Sequence, residues 1–166
     1  GAAEQQRLLA LNPPAQALID GRYLPQRIAD WAQTTPDAIA VSDAEQRLSY
    51  AQLQTNVEAL AQALKDQGLT PGAVIALALP RSTDLVVAML AAWRIGAAYL
   101  PLDAQWPVAR QALMLEQAGA ALLLVADGQI GQWHDQPLPV ATVRRVLQST
   151  SAPGSAASVT AFDTQA

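Results

Sequence analysis

Few side chains in this 166-residue chain have types and spacing suited to chemistry. His134 is the only histidine. In Gln132-Trp133-His134-Asp135 it could act as a base, but the surrounding residues read as a surface loop. No serine has a visible partner base, because a triad needs an imidazole oriented by a carboxylate and set beside the nucleophile. Cysteine is absent, which excludes disulfides, thiolate nucleophiles and cysteine-type zinc sites. The spacing of the remaining histidine, aspartate and glutamate offers no paired-histidine motif, carboxylate cluster or Asp-rich loop for a metal. Lys65, the only lysine, falls on an amphipathic helix.

Anion recognition is equally sparse. A phosphate cradle needs closely spaced glycines at a strand-to-helix turn. The two such turns here, Leu79-Pro80-Arg81-Ser82 and Leu102-Asp103-Ala104-Gln105, contain none. Arg81 follows a candidate central strand, the end at which open sheets bind ligands, although a solvated arginine flanking a helix explains it as well. Asp103 also follows a strand, where turning the chain is its expected task. Trp31 and Trp93 lie on predicted helices and read as core, and Trp106 reads as a plug at the end of a crossover. The aromatics form no ladder for stacking bases.

These residues hang on a regular series of elements. Pro25 suits the start of a helix that Thr35-Pro36-Asp37 closes. Ala38–Asp43 reads as a strand, turned into a short second one at Arg47-Leu48. Ser49 with Gln52 three residues on forms a capping-box pattern, and Tyr50, Leu53, Val57, Leu60, Ala61 and Leu64 make one apolar stripe up to Gly68. Residues 73–80 are apolar on both faces, as in a strand covered on both sides. Ser82 caps an almost wholly apolar helix ended by Gly96, and residues 97–100 form the next strand, with Pro101 marking its end or an edge. Pro107 opens a further helix, Gly119 ends it, and residues 120–127 form another buried strand. Residues 140–147 suit either a strand or a short helix. This alternation predicts an α/β fold with a mainly parallel sheet and right-handed crossover helices. Residues 1–22 read as a lead-in, 23–148 as the folded body and 149–166 as a flexible Ser/Ala/Gly/Pro-rich tail.

Bulk properties narrow the classes further. The charge is −4, from 10 basic and 14 acidic residues, and no basic stripe supports a nucleic-acid partner. The longest apolar run, residues 85–93, is far short of the ~20 residues that span a membrane. No basic region followed by an apolar core opens the chain, so no secretory signal is read. The expectation is a cytoplasmic protein.

The strings themselves carry a resemblance. Trp93–Asp103, WRIGAAYLPLD, resembles the second core motif of the amino-acid adenylation domains of nonribosomal peptide synthetases, with Arg94, Gly96, Tyr99, Pro101, Leu102 and Asp103 at the motif positions. Leu48–Leu53, LSYAQL, resembles their first, with Leu48, Ser49, Tyr50 and Leu53 in place and Gln52 where glutamate is usual. Residues 35–41 are similar to the family's opening strand. The run from Leu79 to Asp103 is one continuous match, and Pro107, Arg110 and residues 118–125 continue it. Residues 7–12 resemble the linker from a preceding condensation domain. Related acyl-CoA ligases tend to have asparagine where Asp103 stands, which favours the peptide-synthetase branch.

The resemblance implies the N-terminal subdomain of an adenylate-forming enzyme. Such a parent uses ATP and Mg²⁺ to make an aminoacyl adenylate, then passes the acyl group to phosphopantetheine on a carrier domain. Its partners would be the rest of the adenylation domain and the neighbouring condensation and carrier domains, with an amino acid as substrate. The family's phosphate loop would be expected soon after Ala161, and its catalytic lysine later still. No catalytic, nucleotide-binding or metal residue is therefore carried over, and the matched residues are expected to serve the fold. The alternatives are a non-catalytic scaffold or docking module, and a fragment of an acyl-CoA or aryl-acid ligase.

Overall fold

The computed structural model describes residues 24–133 and 135–150. The lead-in read over residues 1–22 and all but the first two residues of the predicted tail lie outside them.

Helix α1 (Leu24–Thr34) leads to an antiparallel pair, β1 (Ile39–Ser42) and β2 (Arg47–Ser49). Helix α2 (Tyr50–Asp66) starts without a gap because the capping box forms: Ser49 Oγ accepts from Gln52 N at 3.3 Å, and Ser49 N donates to Gln52 Oε1 at 2.9 Å. Then come β3 (Val74–Ala78), α3 (Thr83–Arg94), β4 (Ala98–Pro101), α4 (Val108–Ala118) and β5 (Ala120–Val125). A 3₁₀ turn (Ile130–Trp133), β6 (Val140–Thr142) and α5 (Val143–Thr150) complete the described chain. Residues 140–147 are thus both strand and helix. Thr142 Oγ1 accepts from Arg145 N at 3.2 Å, capping α5 where the strand stops. The helix runs through Ser149 and Thr150, two residues into the segment read as tail.

The second sheet has the order β4-β3-β5-β6, and every neighbouring pair is parallel. Its central strands are apolar throughout because both faces are covered. On one face Ile75, Leu77, Leu122 and Leu124 join Leu53, Val57, Leu60 and Leu64 of α2, Val87 and Leu90 of α3, and Val143 and Val146 of α5. On the other, Ala76, Ala78, Leu123 and Val125 meet Leu115 of α4 and Trp133. The alternation of side chains along a strand sorts neighbours into these two cores. Each fully buried leucine contributes on the order of 1.5–3 kcal/mol.

Two tryptophans are not where their helical positions suggested. Trp31 and Trp93 are 39% and 42% exposed. Each sits at the rim of its helix and tilts against a tyrosine instead: Trp31 on Tyr50 with ring centres 5.4 Å apart, Trp93 on Tyr99 at 5.8 Å. The buried tryptophan is Trp133, in a short 3₁₀ turn that apolar periodicity does not register. Trp106 is half-buried against the second core, with the Arg110 guanidinium 4.4 Å from its ring centre.

Candidate functional site

The matched motif residues occupy the joints between elements. Leu48 and Leu53 are buried beneath the start of α2. Arg94 reaches Glu58 of α2 at 3.6 Å. Gly96 turns α3 into β4 with φ +74°, and a Cβ there would stand 3.2 Å from Cβ of Pro71. Pro101 ends β4, the edge strand of the described sheet. Leu102 is buried and its N–H donates to Leu77 O at 2.9 Å, holding the strand end to β3. Asp103 Oδ1 accepts from Gln105 N at 2.8 Å, and its carbonyl accepts from Trp106 N and from Gln111 Nε2. Asp103 therefore shapes a turn. Lys65 is exposed in the last turn of α2, and His134 lies outside the described residues.

The polar pocket lies elsewhere, beyond the carboxyl ends of β3 and β5. These adjacent strands send their following connections to opposite sides of the sheet, β3 to β4 and β5 to β6. Such a switch point is where open α/β sheets place ligands. The pocket has a volume of about 330 Å³ and is walled by the β1–β2 turn, the β3–α3 turn, Ala126, Asp127 and Arg144. Arg81 lies on its rim, exposed.

Hydrogen bonds and ion pairs knit these walls together. The Asp43 carboxylate accepts from the N–H groups of Glu45 and Gln46 on its own turn and from Thr83 N across the pocket, at 2.8, 2.9 and 2.8 Å. Those backbone donors, Thr83 first, hold its pKa well below the usual carboxylate range. Gln46 Nε2 bonds to Thr83 Oγ1 and reaches Asp84 Oδ1 at 3.3 Å. Asp84 is pushed the other way: burial raises its pKa, against the opposing pull of Arg144. The Arg144 guanidinium meets Glu45 at 2.8 Å, Asp127 at 3.4 Å and Asp84 at 3.6 Å.

The sequence spacing offered no carboxylate cluster, yet the fold assembles one. Asp43, Glu45, Asp84 and Asp127 come from three separate stretches, so no local pattern could reveal them. Only Asp84 carried a signal, as an anion in the first turn of α3. Among the described residues no group of three or more His, Cys, Asp or Glu is arranged to hold a metal. The β3–α3 turn in its wall has no glycine cradle, and four carboxylates stand with two arginines round the pocket.

Comparison with known proteins follows the same line as the motifs. The model of the AMP-binding enzymes matches residues 28–165. The chain is 40% identical over 134 residues to enterobactin synthase component F of Escherichia coli strain K12, covering 81% of this chain and 10% of that protein. With gramicidin S synthase 2 of Brevibacillus brevis it shares 35% identity over 122 residues, 73% of this chain and 3% of that protein. The chain thus spans a tenth or less of the length of these relatives. Among solved structures, the N-terminal subdomain of Klebsiella oxytoca NpsA in complex with 3-hydroxyanthranilyl-AMSN superposes with a TM-score of 0.64 at 26% identity, over 80% of this chain and 32% of that one. The Bacillus subtilis O-succinylbenzoate coenzyme A synthetase, solved with ATP and magnesium, shares the fold with a TM-score of 0.62 at 21% identity, over 73% of this chain and 33% of that one. With motifs, fold and relatives in agreement, the chain belongs to the AMP-binding enzymes and corresponds to the N-terminal part of an adenylation domain of the nonribosomal peptide synthetase type.

Proposed function

We propose that this chain serves as the N-terminal part of an amino-acid-activating domain, whose complete form makes an aminoacyl adenylate from ATP with Mg²⁺. The activated acyl group would then pass to phosphopantetheine on a carrier domain, with a condensation domain as neighbour. The observation that carries this reading is the uninterrupted motif run from Leu79 to Asp103, which lies along β3, α3 and β4. The described residues supply packing and turns, and no step of the reaction is assigned to any of them. A cytoplasmic setting fits a chain without cysteine, whose described helices include none long and apolar enough to cross a membrane.

The test is amino-acid-dependent exchange of pyrophosphate into ATP by a polypeptide that contains this chain together with the rest of the adenylation domain. Stimulation by one or a few amino acids is the expected result. Stimulation by aryl or fatty acids alone would overturn it. The aryl alternative has a specific basis, since the NpsA structure holds an aryl-AMSN ligand. Residues 1–166 alone are expected to turn over no ATP and to bind nucleotide only weakly, and micromolar Mg²⁺-dependent ATP binding measured by calorimetry would contradict the second expectation.

A further inference from the structure

Helix α5 is held to the body in two physically different ways. Beneath it, Val143 and Val146 are 1% exposed and pack with α2 and α3 in the main core. Apolar contact of this kind is strong and non-directional, so by itself it leaves the rotation of a short helix loosely set. Beside it, Arg144 spans three carboxylates from three chain segments: Glu45 of the β1–β2 turn, Asp84 of α3 and Asp127 after β5. Glu45 is 99 positions away in sequence. The hydrogen bond to Glu45 at 2.8 Å is directional and defines an angle, while the longer ion pairs to Asp127 and Asp84 add attachment.

We propose that Arg144 is a latch that fixes the seating of α5 by bridging carboxylates from three chain segments and offsetting part of their mutual repulsion across the pocket.

The charge balance gives the latch a signature. One guanidinium faces three carboxylates, with Asp43 and Arg81 as the other charged groups on the pocket walls. Asp43 is already occupied by three backbone N–H groups. Removing Arg144 leaves Glu45, Asp84 and Asp127 unopposed, with Asp84 the most enclosed of the three, its side chain 19% exposed. Removing one carboxylate relieves repulsion instead. The effects must therefore be asymmetric, and neutralising Asp84 must compensate in part for loss of the arginine. A set of independent surface ion pairs would show neither property.

The experiment is amide hydrogen exchange on residues 1–166, with the α2 amides as internal reference. Arg144→Met, which keeps the apolar stem, is expected to speed exchange in α5 by roughly tenfold relative to α2. Arg144→Lys should restore the protection in part, because the charge returns without the fork. Glu45→Gln and Asp127→Asn should change α5 exchange by no more than about twofold. Arg144→Met with Asp84→Asn should recover part of the α5 protection lost in Arg144→Met, because the most enclosed carboxylate charge is gone while the hydrogen bond to Glu45 stays lost. Unchanged α5 exchange in Arg144→Met would overturn the proposal, and so would a double variant no better protected than the single one. Should Arg144→Met fail to fold, the same comparison is made with Arg144→Lys alone and with Asp84→Asn added; no recovery there also overturns it.

Discussion

The Asp43 carboxylate accepts a hydrogen bond from Thr83 N–H at 2.8 Å, joining the β1–β2 turn to the first turn of α3 across 40 positions of sequence. One oxygen serves the turn itself and the other serves the helix, so a single side chain both shapes a local bend and positions a distant element.

Asp43→Asn is expected to lower the melting temperature at pH 7. An amide keeps one acceptor oxygen but sets an NH₂ group against a backbone N–H. Because the carboxylate's pKa is depressed in the folded state, its stabilisation is present above the unfolded value of about 4 and fades as pH falls through the folded one. The gap between parent and variant should therefore narrow between pH 5 and about pH 2.5. Thermal melts at several pH values check this, and a constant gap would refute the account.

Asp84→Asn is expected to leave stability unchanged or raise it at neutral pH. Burial raises this carboxyl's pKa in the folded state more than Arg144 lowers it, so its charged form is the costlier one there. The sign is opposite to that of Asp43: the parent chain gains stability as pH falls through the raised folded pKa. Urea denaturation at pH 7 is the measurement, and a clear loss of stability in the variant would show that the Arg144 attraction outweighs burial.

At the start of α2, Ser49→Ala should cost about 0.5–1 kcal/mol, at the lower end for a cap because the Ser49 Oγ to Gln52 N distance is 3.3 Å. Gln52→Glu should instead be neutral or stabilising by up to about 1 kcal/mol, since the carboxylate preserves the reciprocal bond and adds an anion at a helix N-terminus. Denaturation midpoints of the two variants should move in opposite directions or, for the second, not at all.

Gly96→Ala should destabilise by more than about 1 kcal/mol, because φ is +74° and the new methyl would press on Pro71. Gly131→Ala is the control: its φ is not positive and nothing lies within 4 Å of a Cβ there. Equal effects of the two substitutions would remove the conformational explanation.

Local patterns settled which segments become helices and strands as far as β5, and left residues 140–147 open. The capping box, the stripe from Tyr50 to Leu64, the two-faced apolar run of β3 and the glycines after α3 and α4 act over a few residues, and sequence displays such interactions directly. The motif run from Leu79 to Asp103 identified the family for the same reason. Tertiary structure alone decided the rest. It brought β5 beside β3 and thereby created a switch point, exposed Trp31 and Trp93 at helix rims, and buried Trp133. It also gathered Asp43, Glu45, Asp84, Asp127 and Arg144 round one pocket. Those contacts join residues 17 to 99 positions apart, and electrostatic neighbours at such separations leave no period or spacing in the chain.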